Sequence, residues 1–262
     1  MAKAKKENKK GQIGIPWLTF IISLALAISF TALSTDGILT SSQSIEKYQL
    51  SVDSLHNMIF YVFQHSGYSH LVGNIVVILA AGVTVERTLR KSDIMALFFG
   101  ASVFAGLLFA FLNPKYSIIG ASAGGISLLT AAFTLDPKKI LIGFALAMAI
   151  GYVLIFGIDY QVTAQKSQIQ LEAKDLESAR QAAIGSNDPE LAKDTEGKIS
   201  ERMQALEKIN EGEKLRDTQP SFEIHLFASI FAFVYLALFR KSEVFKSLRT
   251  KWRPVFRLLR IG

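Results

Sequence analysis

The feature that most limits what this chain can become is a series of apolar stretches separated by blocks of charge. Residues 15–33, 70–85, 94–112, 122–135, 141–158 and 225–239 hold almost no charged side chains. A bilayer's hydrocarbon layer is ~30 Å thick and a helix rises ~1.5 Å per residue, so a span needs ~20 mostly apolar residues. The six segments meet that need in whole or in part, the second helped by apolar residues 58–63 and the fourth by 118–121. The fourth and sixth are short and open with polar residues, so their first turns are expected to face something other than lipid. The pattern excludes intrinsic disorder and an ordinary soluble domain. It predicts an all-α polytopic membrane protein with six transmembrane helices.

The loops set the expected orientation. Tails 1–14 and 240–262 with loops 86–93 and 136–139 carry 18 of the 29 Lys and Arg residues, whereas short loops 34–57 and 113–117 carry 2. By the positive-inside rule both termini are expected in the cytoplasm. The +7 net charge is therefore a topology signal and an expected contact with anionic lipid headgroups, not the mark of a nucleic-acid binder. A Lys-rich start before a long apolar stretch also resembles a secretory signal, but 15–33 is too long for a cleaved one and reads as a signal anchor or first span. No Arg-rich amphipathic presequence is evident, so a prokaryotic plasma membrane is the simplest address. The absence of cysteine excludes disulfides, thiolate metal sites and Cys nucleophiles.

The expected organisation is a basic tail (1–14), five spans (15–158), an extracytoplasmic insertion (159–221), a sixth span (222–240) and a second basic tail (241–262). The long segment 159–223 is net acidic and can be translocated. Within it Val162, Ile169, Leu176 and Ala183 recur every seven residues, and Ile199, Leu206 and Met203 or Ile209 form a second stripe. Asp188-Pro189 reads as an N-cap followed by proline at the first helical position. A helical hairpin outside the membrane is expected, with a solvated linker as the alternative because the stripe is thin.

Polar residues within spans are costly and mark candidate sites. His65, His70, Asn74, Ser122 and His225 are all predicted in the outer third of the bilayer on one side. Ser122 lies in Gly120-Ala-Ser-Ala-Gly-Gly125, which fits the G-x-S-x-G elbow of soluble hydrolases formally. That elbow needs a strand–turn–helix, and no strand pattern precedes it. On the motif alone the small residues serve close helix packing, with Ser122 bonding its own backbone. His225 shifts the balance, since a serine nucleophile needs a base and His225 is the only histidine downstream. No carboxylate is predicted at that depth, Glu223 being assigned to the water surface, so a Ser–His dyad is favoured over a triad. A merely interfacial His225 is the plain alternative. His70 and Asn74, spaced i, i+4, share a helix face and can donate to an oxyanion. A zinc site built from His65, His70 and His225 is weakened because the i+4 partner is Asn, and neither metal nor cofactor is expected.

These residues together resemble the rhomboid family of intramembrane serine proteases. The resemblance rests on His65-Ser-Gly-Tyr-Ser-His70-Leu-Val-Gly-Asn74, Gly82-Val-Thr-Val-Glu86, Gly120-Ala-Ser122 and a late His225, in the family's order across three spans. It implies Ser122 as nucleophile, His225 as general base and then acid, and His70, Asn74 and the Ser122 amide as the oxyanion hole. His65, Gly120, Ala121 and Glu86 would support the site or the fold. Single-span membrane proteins would be the substrates, cut near their membrane entry. Departures from the family pattern are Ala123 where glycine usually follows the serine, Ile126 in place of an aromatic, and Ala228 and Ala232 in place of glycines. His56-Asn57 replaces a Trp-Arg pair in the first outer loop. Ala123 fits if its φ is negative. A rhomboid-like pseudoprotease that binds clients without cutting them is the alternative; a transporter would call for repeats or paired broken helices, which are not seen.

Overall fold

A computed structural model describes residues 15–34, 40, 42–216 and 222–252. The expected tail 1–14, residues 253–262 of the second tail, and 217–221 at the end of the insertion lie outside the described residues. The described part is helical, its only extended pairings being isolated bridges at Ser34–Thr40 and Leu50–Ile118. The helices are α1 (Trp17–Leu33), α2 (Ser42–Tyr48), α3 (Tyr68–Glu86), α4 (Lys91–Met95), α5 (Ala101–Leu112), α6 (Ser122–Leu135), α7 (Pro137–Gly185), α8 (Pro189–Arg216), α9 (Phe222–Phe239) and α10 (Lys241–Thr250). A π-helical turn, Ala96–Gly100, joins α4 and α5 into one rod, Lys91–Leu112.

All six apolar segments are helical, so the chain is a polytopic helical bundle. Four stretches, Tyr68–Glu86, Lys91–Leu112, Pro137–Gly157 and Phe222–Phe239, are long and apolar enough to cross a membrane. α1 and α6 are shorter. α6 is central, packing against α3, α5, α7, α9 and α10. Small residues allow this: Ala123, Gly124, Gly125, Ala131 and Ala132 are all buried. A Cβ on Gly124 would lie 2.5 Å from a Phe98 ring carbon, so nothing larger than glycine fits there. Without a hydrophobic force between helices in lipid, such close backbone packing is a main source of cohesion. Outward-facing Ile142, Val153 and Leu238 remain exposed, as a lipid-facing surface requires.

Polar side chains fasten the end of the bundle away from Ser122. Glu86 on α3 accepts hydrogen bonds from Leu18 N–H (3.0 Å), Thr19 N–H (2.9 Å) and Thr19 Oγ1 (2.7 Å), capping an α1 whose own N-cap, Pro16, supplies no side-chain bond. One turn earlier Gly82 lets Thr19 approach, for a Cβ there would be 2.6 Å from Thr19 Cγ2. Asp93 accepts Arg240 Nε (2.8 Å) and Nη2 (2.6 Å), Tyr235 Oη (2.7 Å) and Arg90 N–H (2.9 Å), tying the end of α9 to the start of α4. α10 closes the base of α6. Ser247 Oγ donates to the carbonyls of Thr134 (2.8 Å) and Leu135 (2.9 Å), and Trp252 Nε1 donates to Thr134 O (3.1 Å). Lys251 and Lys139 both reach Asp136, at 2.6 and 3.3 Å.

The hairpin forms, with a difference in its first arm. α7 runs unbroken for 49 residues, so the fifth apolar stretch and the insertion's first arm are one rod without a joint near residue 158. Beyond Gly157 the sequence is rich in Ala, Gln, Glu and Lys and lacks proline until Pro189, which gives the helix no reason to stop. It ends where Asn187 takes a left-handed φ of 58° and Asp188 Oδ1 accepts Leu191 N–H (3.1 Å) to start α8. α8 folds back on α7, with Arg202 paired to Glu172 at 2.9 Å. The seam buries Ala183, Leu206 and Ile209, while Met203 points outward.

Candidate active site

Three chain segments meet around the start of α6. Residues 118–120 lie outside the helices, and backbone that is withdrawn from water must find other hydrogen-bond partners. Neighbouring backbone serves: Ile118 and Leu50 exchange two hydrogen bonds of 2.9 Å, and Gly120 N–H donates to Tyr61 O (2.9 Å). Tyr61 is itself held by its hydroxyl, which donates to Ser102 O at 2.7 Å. Gly120 then turns the chain with φ +105°, a left-handed conformation that L side chains rarely adopt. The turn also leaves no room for a side chain, because a Cβ would sit 2.8 Å from both Cε1 and Nε2 of His70 and 3.5 Å from Asn74 Nδ2. The backbone two residues before Ser122 therefore lies against the imidazole edge of His70 and the amide of Asn74.

Ser122 is the first residue of α6 and is half-buried, between fully buried Ala121 and Ala123. Ala123 is inside the helix, and among the described residues only Asn187 combines a side chain with a positive φ, so alanine is unstrained there. His70, in the first turn of α3, is oriented by Ser66, whose Oγ is 3.3 Å from Nδ1, leaving Nε2 on the Gly120 side. His65 is buried edge-on against His70, with ring centroids 5.1 Å apart, and Thr40 Oγ1 donates to its carbonyl at 2.6 Å. Asn74 is buried and its Nδ2 has no hydrogen-bond partner among the described residues.

His225 stands in the first turn of α9, half-buried, with Nε2 buried and without a hydrogen-bond partner among the described residues. It lies within electrostatic range of His70. Its neighbour Ile224 joins Ala123, Ala228, Ala101 and Ala105 in one buried cluster, with Ile126 against its edge, so the starts of α6 and α9 are packed together. Farther down the same interface Thr130 Oγ1 bonds Ser229 Oγ at 3.1 Å. No hydrogen bond joins Ser122 Oγ to His225 in this arrangement.

The structure thus gathers His65, His70, Asn74, Gly120, Ala121, Ser122 and the start of α9, and leaves Glu86 at the opposite end of α3. Among the described residues no group of three or more His, Asp or Glu side chains converges as a metal centre. Exposed Glu223 accepts Asn113 Nδ2 at 2.9 Å, joining the end of α5 to the first turn of α9. Three neighbours escaped the sequence reading. Ser66 was available from its i, i+4 spacing to His70, whereas Tyr61 and the buried amide of Gln64 carry no spacing signal. Asn57 of the departing loop pair is buried and donates to Lys47 O and Gln49 O, anchoring the segment that leads to Leu50.

A family model, the Rhomboid domain, matches residues 52–173. The matched stretch contains His65, His70, Asn74, Glu86, Gly120 and Ser122, and ends before His225. No curated protein and no solved structure matches the chain.

Proposed function

We propose, on the premise that residues 52–173 form a rhomboid domain in a polytopic membrane protein, that the chain is an intramembrane serine endopeptidase. The observation that carries the reading is the left-handed Gly120, which lays the approach to Ser122 against His70 and Asn74 beside the start of the helix bearing His225. Ser122 Oγ attacks the scissile carbonyl while His225 accepts its proton. The negative oxygen that forms receives hydrogen bonds from the Ser122 amide, His70 Nε2 and Asn74 Nδ2, each worth roughly 3–4 kcal/mol in a dry site. Ser66 donating to His70 Nδ1 fixes the tautomer this needs. His225 then protonates the leaving amine, and water, activated by His225, releases the acyl group. No metal or cofactor takes part.

The short α6 supports a site below the lipid headgroups: its 14 residues rise only ~21 Å, less than the ~30 Å hydrocarbon layer. In this reading both termini are cytoplasmic, the membrane is a prokaryotic plasma membrane, and the substrates are single-span membrane proteins. His65 and Ala121 pack the site, and Glu86 holds α1 to α3.

The missing Ser122–His225 hydrogen bond favours a second reading, a pseudoprotease that binds membrane clients. Catalytic hydrogen bonds often tighten only when substrate is bound, so the bond's absence does not weigh decisively. A fluorophosphonate probe on the detergent-solubilised chain separates the two. The protease labels at Ser122, and Ser122→Ala and His225→Ala each abolish labelling; a folded protein that never labels and never cuts a reporter is the client binder.

A further inference from the structure

Helices α3 and α7 pack against each other, but not equally closely at every turn. Near the Ser122 end Gly151 brings them so close that a Cβ would lie 3.1 Å from Val76 Cγ2. About two turns nearer the other end, Gly143 has nothing within 4 Å. Between them opens a groove of about 510 Å³ walled by apolar side chains, including Val83 of α3 and Leu146 of α7. Its mouth, at the end away from Ser122, is flanked by Arg87 and Lys139. Arg87 is exposed and no carboxylate among the described residues pairs with it. Lys139 is 70% exposed and holds Asp136 only at 3.3 Å, because Lys251 occupies the same carboxylate oxygen at 2.6 Å. Two cations with spare hydrogen-bonding capacity therefore close a greasy slot at one membrane surface.

We infer that this groove binds one anionic phospholipid, its acyl chain along Val83 and Leu146 and its phosphate between Arg87 and Lys139. Charge complementarity selects this occupant. A phosphodiester with a neutral headgroup such as glycerol answers both cations, a choline headgroup adds a competing positive charge, and an apolar helix leaves both cations without a counter-charge.

The test uses the full chain in phosphatidylcholine nanodiscs doped with phosphatidylglycerol that carries a diazirine in one acyl chain, with cross-links mapped by mass spectrometry. Labelling is expected at residues of the groove and should fall about fivefold for each of Arg87→Gln and Lys139→Gln. Gly143→Phe, which fills the slot and keeps the charges, should lose it as well, while Lys241→Gln with Lys246→Gln, which removes two charges elsewhere where each groove variant removes one, should keep it. Equal groove labelling by diazirine phosphatidylcholine, labels scattered over the lipid-facing surface, or displacement of the lipid by a single-span peptide that cross-links in its place would each overturn the assignment. Circular dichroism of each variant confirms that the protein measured is folded.

Discussion

At the end of the bundle away from Ser122, the buried and half-buried carboxylates have company. Asp93 accepts four hydrogen bonds, Glu86 three, and Asp136 is held by two lysines. At the other end Gln64, Asn74 Nδ2 and His225 Nε2 are buried, yet have no partner among the described residues. A buried polar atom without a partner costs ~1–3 kcal/mol, so a fold has no reason to collect several in one place for its own stability. The contrast teaches that the two ends do different work. One end fastens helices, and α6 is gripped there by Ser247, Trp252 and the lysines on Asp136. Ser122, at the opposite tip of α6, is left without a side-chain task in holding the molecule together. This is how a binding or reactive site is expected to differ from scaffold.

Substitutions at the two ends should therefore separate activity from stability. The largest effect is expected for Asn74→Ala: cleavage of a single-span reporter falls about 10²- to 10³-fold, as for loss of an oxyanion donor. Its thermal midpoint should hold or rise, since the atom removed is unpartnered; a marked fall in stability at unchanged activity would erase the contrast. Glu86→Ala should do the reverse. Loss of the α1 cap costs about 2 kcal/mol in denaturant unfolding, while turnover per folded molecule stays within a few-fold of the parent. A hundredfold loss of turnover there would show that both ends serve the reaction.

The smallest effect concerns α10 and pH. Burial by itself raises the Asp136 carboxyl, but hydrogen bonds and charge from Lys251 and then Lys139 override it and hold the group below the ordinary carboxylate range. A carboxyl depressed in the folded state contributes stability that is present above its unfolded value and lost as pH falls through the folded one. The tie between α10 and α6 should thus be constant at neutral pH and weaken only below the usual carboxylate range. Trp252, which packs edge-on to Phe133, reports this by fluorescence in a Trp17→Phe background. Asp136→Asn should remove the transition, and a midpoint at or above the ordinary carboxylate range would contradict the assignment.

Local rules were enough for much of the architecture. The six apolar stretches announced six helices, and Asp188-Pro189 announced α8, because hydropathy and capping are written in short windows of sequence. Chemistry-bearing residue types were also legible, since an imidazole, an amide or a hydroxyl in an apolar run is conspicuous. The continuous α7 was not foreseen, because a change in composition at the membrane edge does not interrupt a helix whose hydrogen bonds are all internal. Tyr61, which accepts the Gly120 N–H, lies far from it in the chain and carries no mark of that role.

The amino-acid order by itself determined that this chain forms apolar helices with a polar cluster at one end and charge between them, since each helix satisfies its own backbone. Only the tertiary structure decided that Gly120 takes φ +105° against His70 and Asn74, that Glu86 caps a helix 68 residues upstream, and that α10 grips the base of α6. These depend on which faces meet when the helices pack, and helix packing is settled by close fits, such as Gly82 with Thr19 and Gly124 with Phe98, between residues that no local pattern pairs.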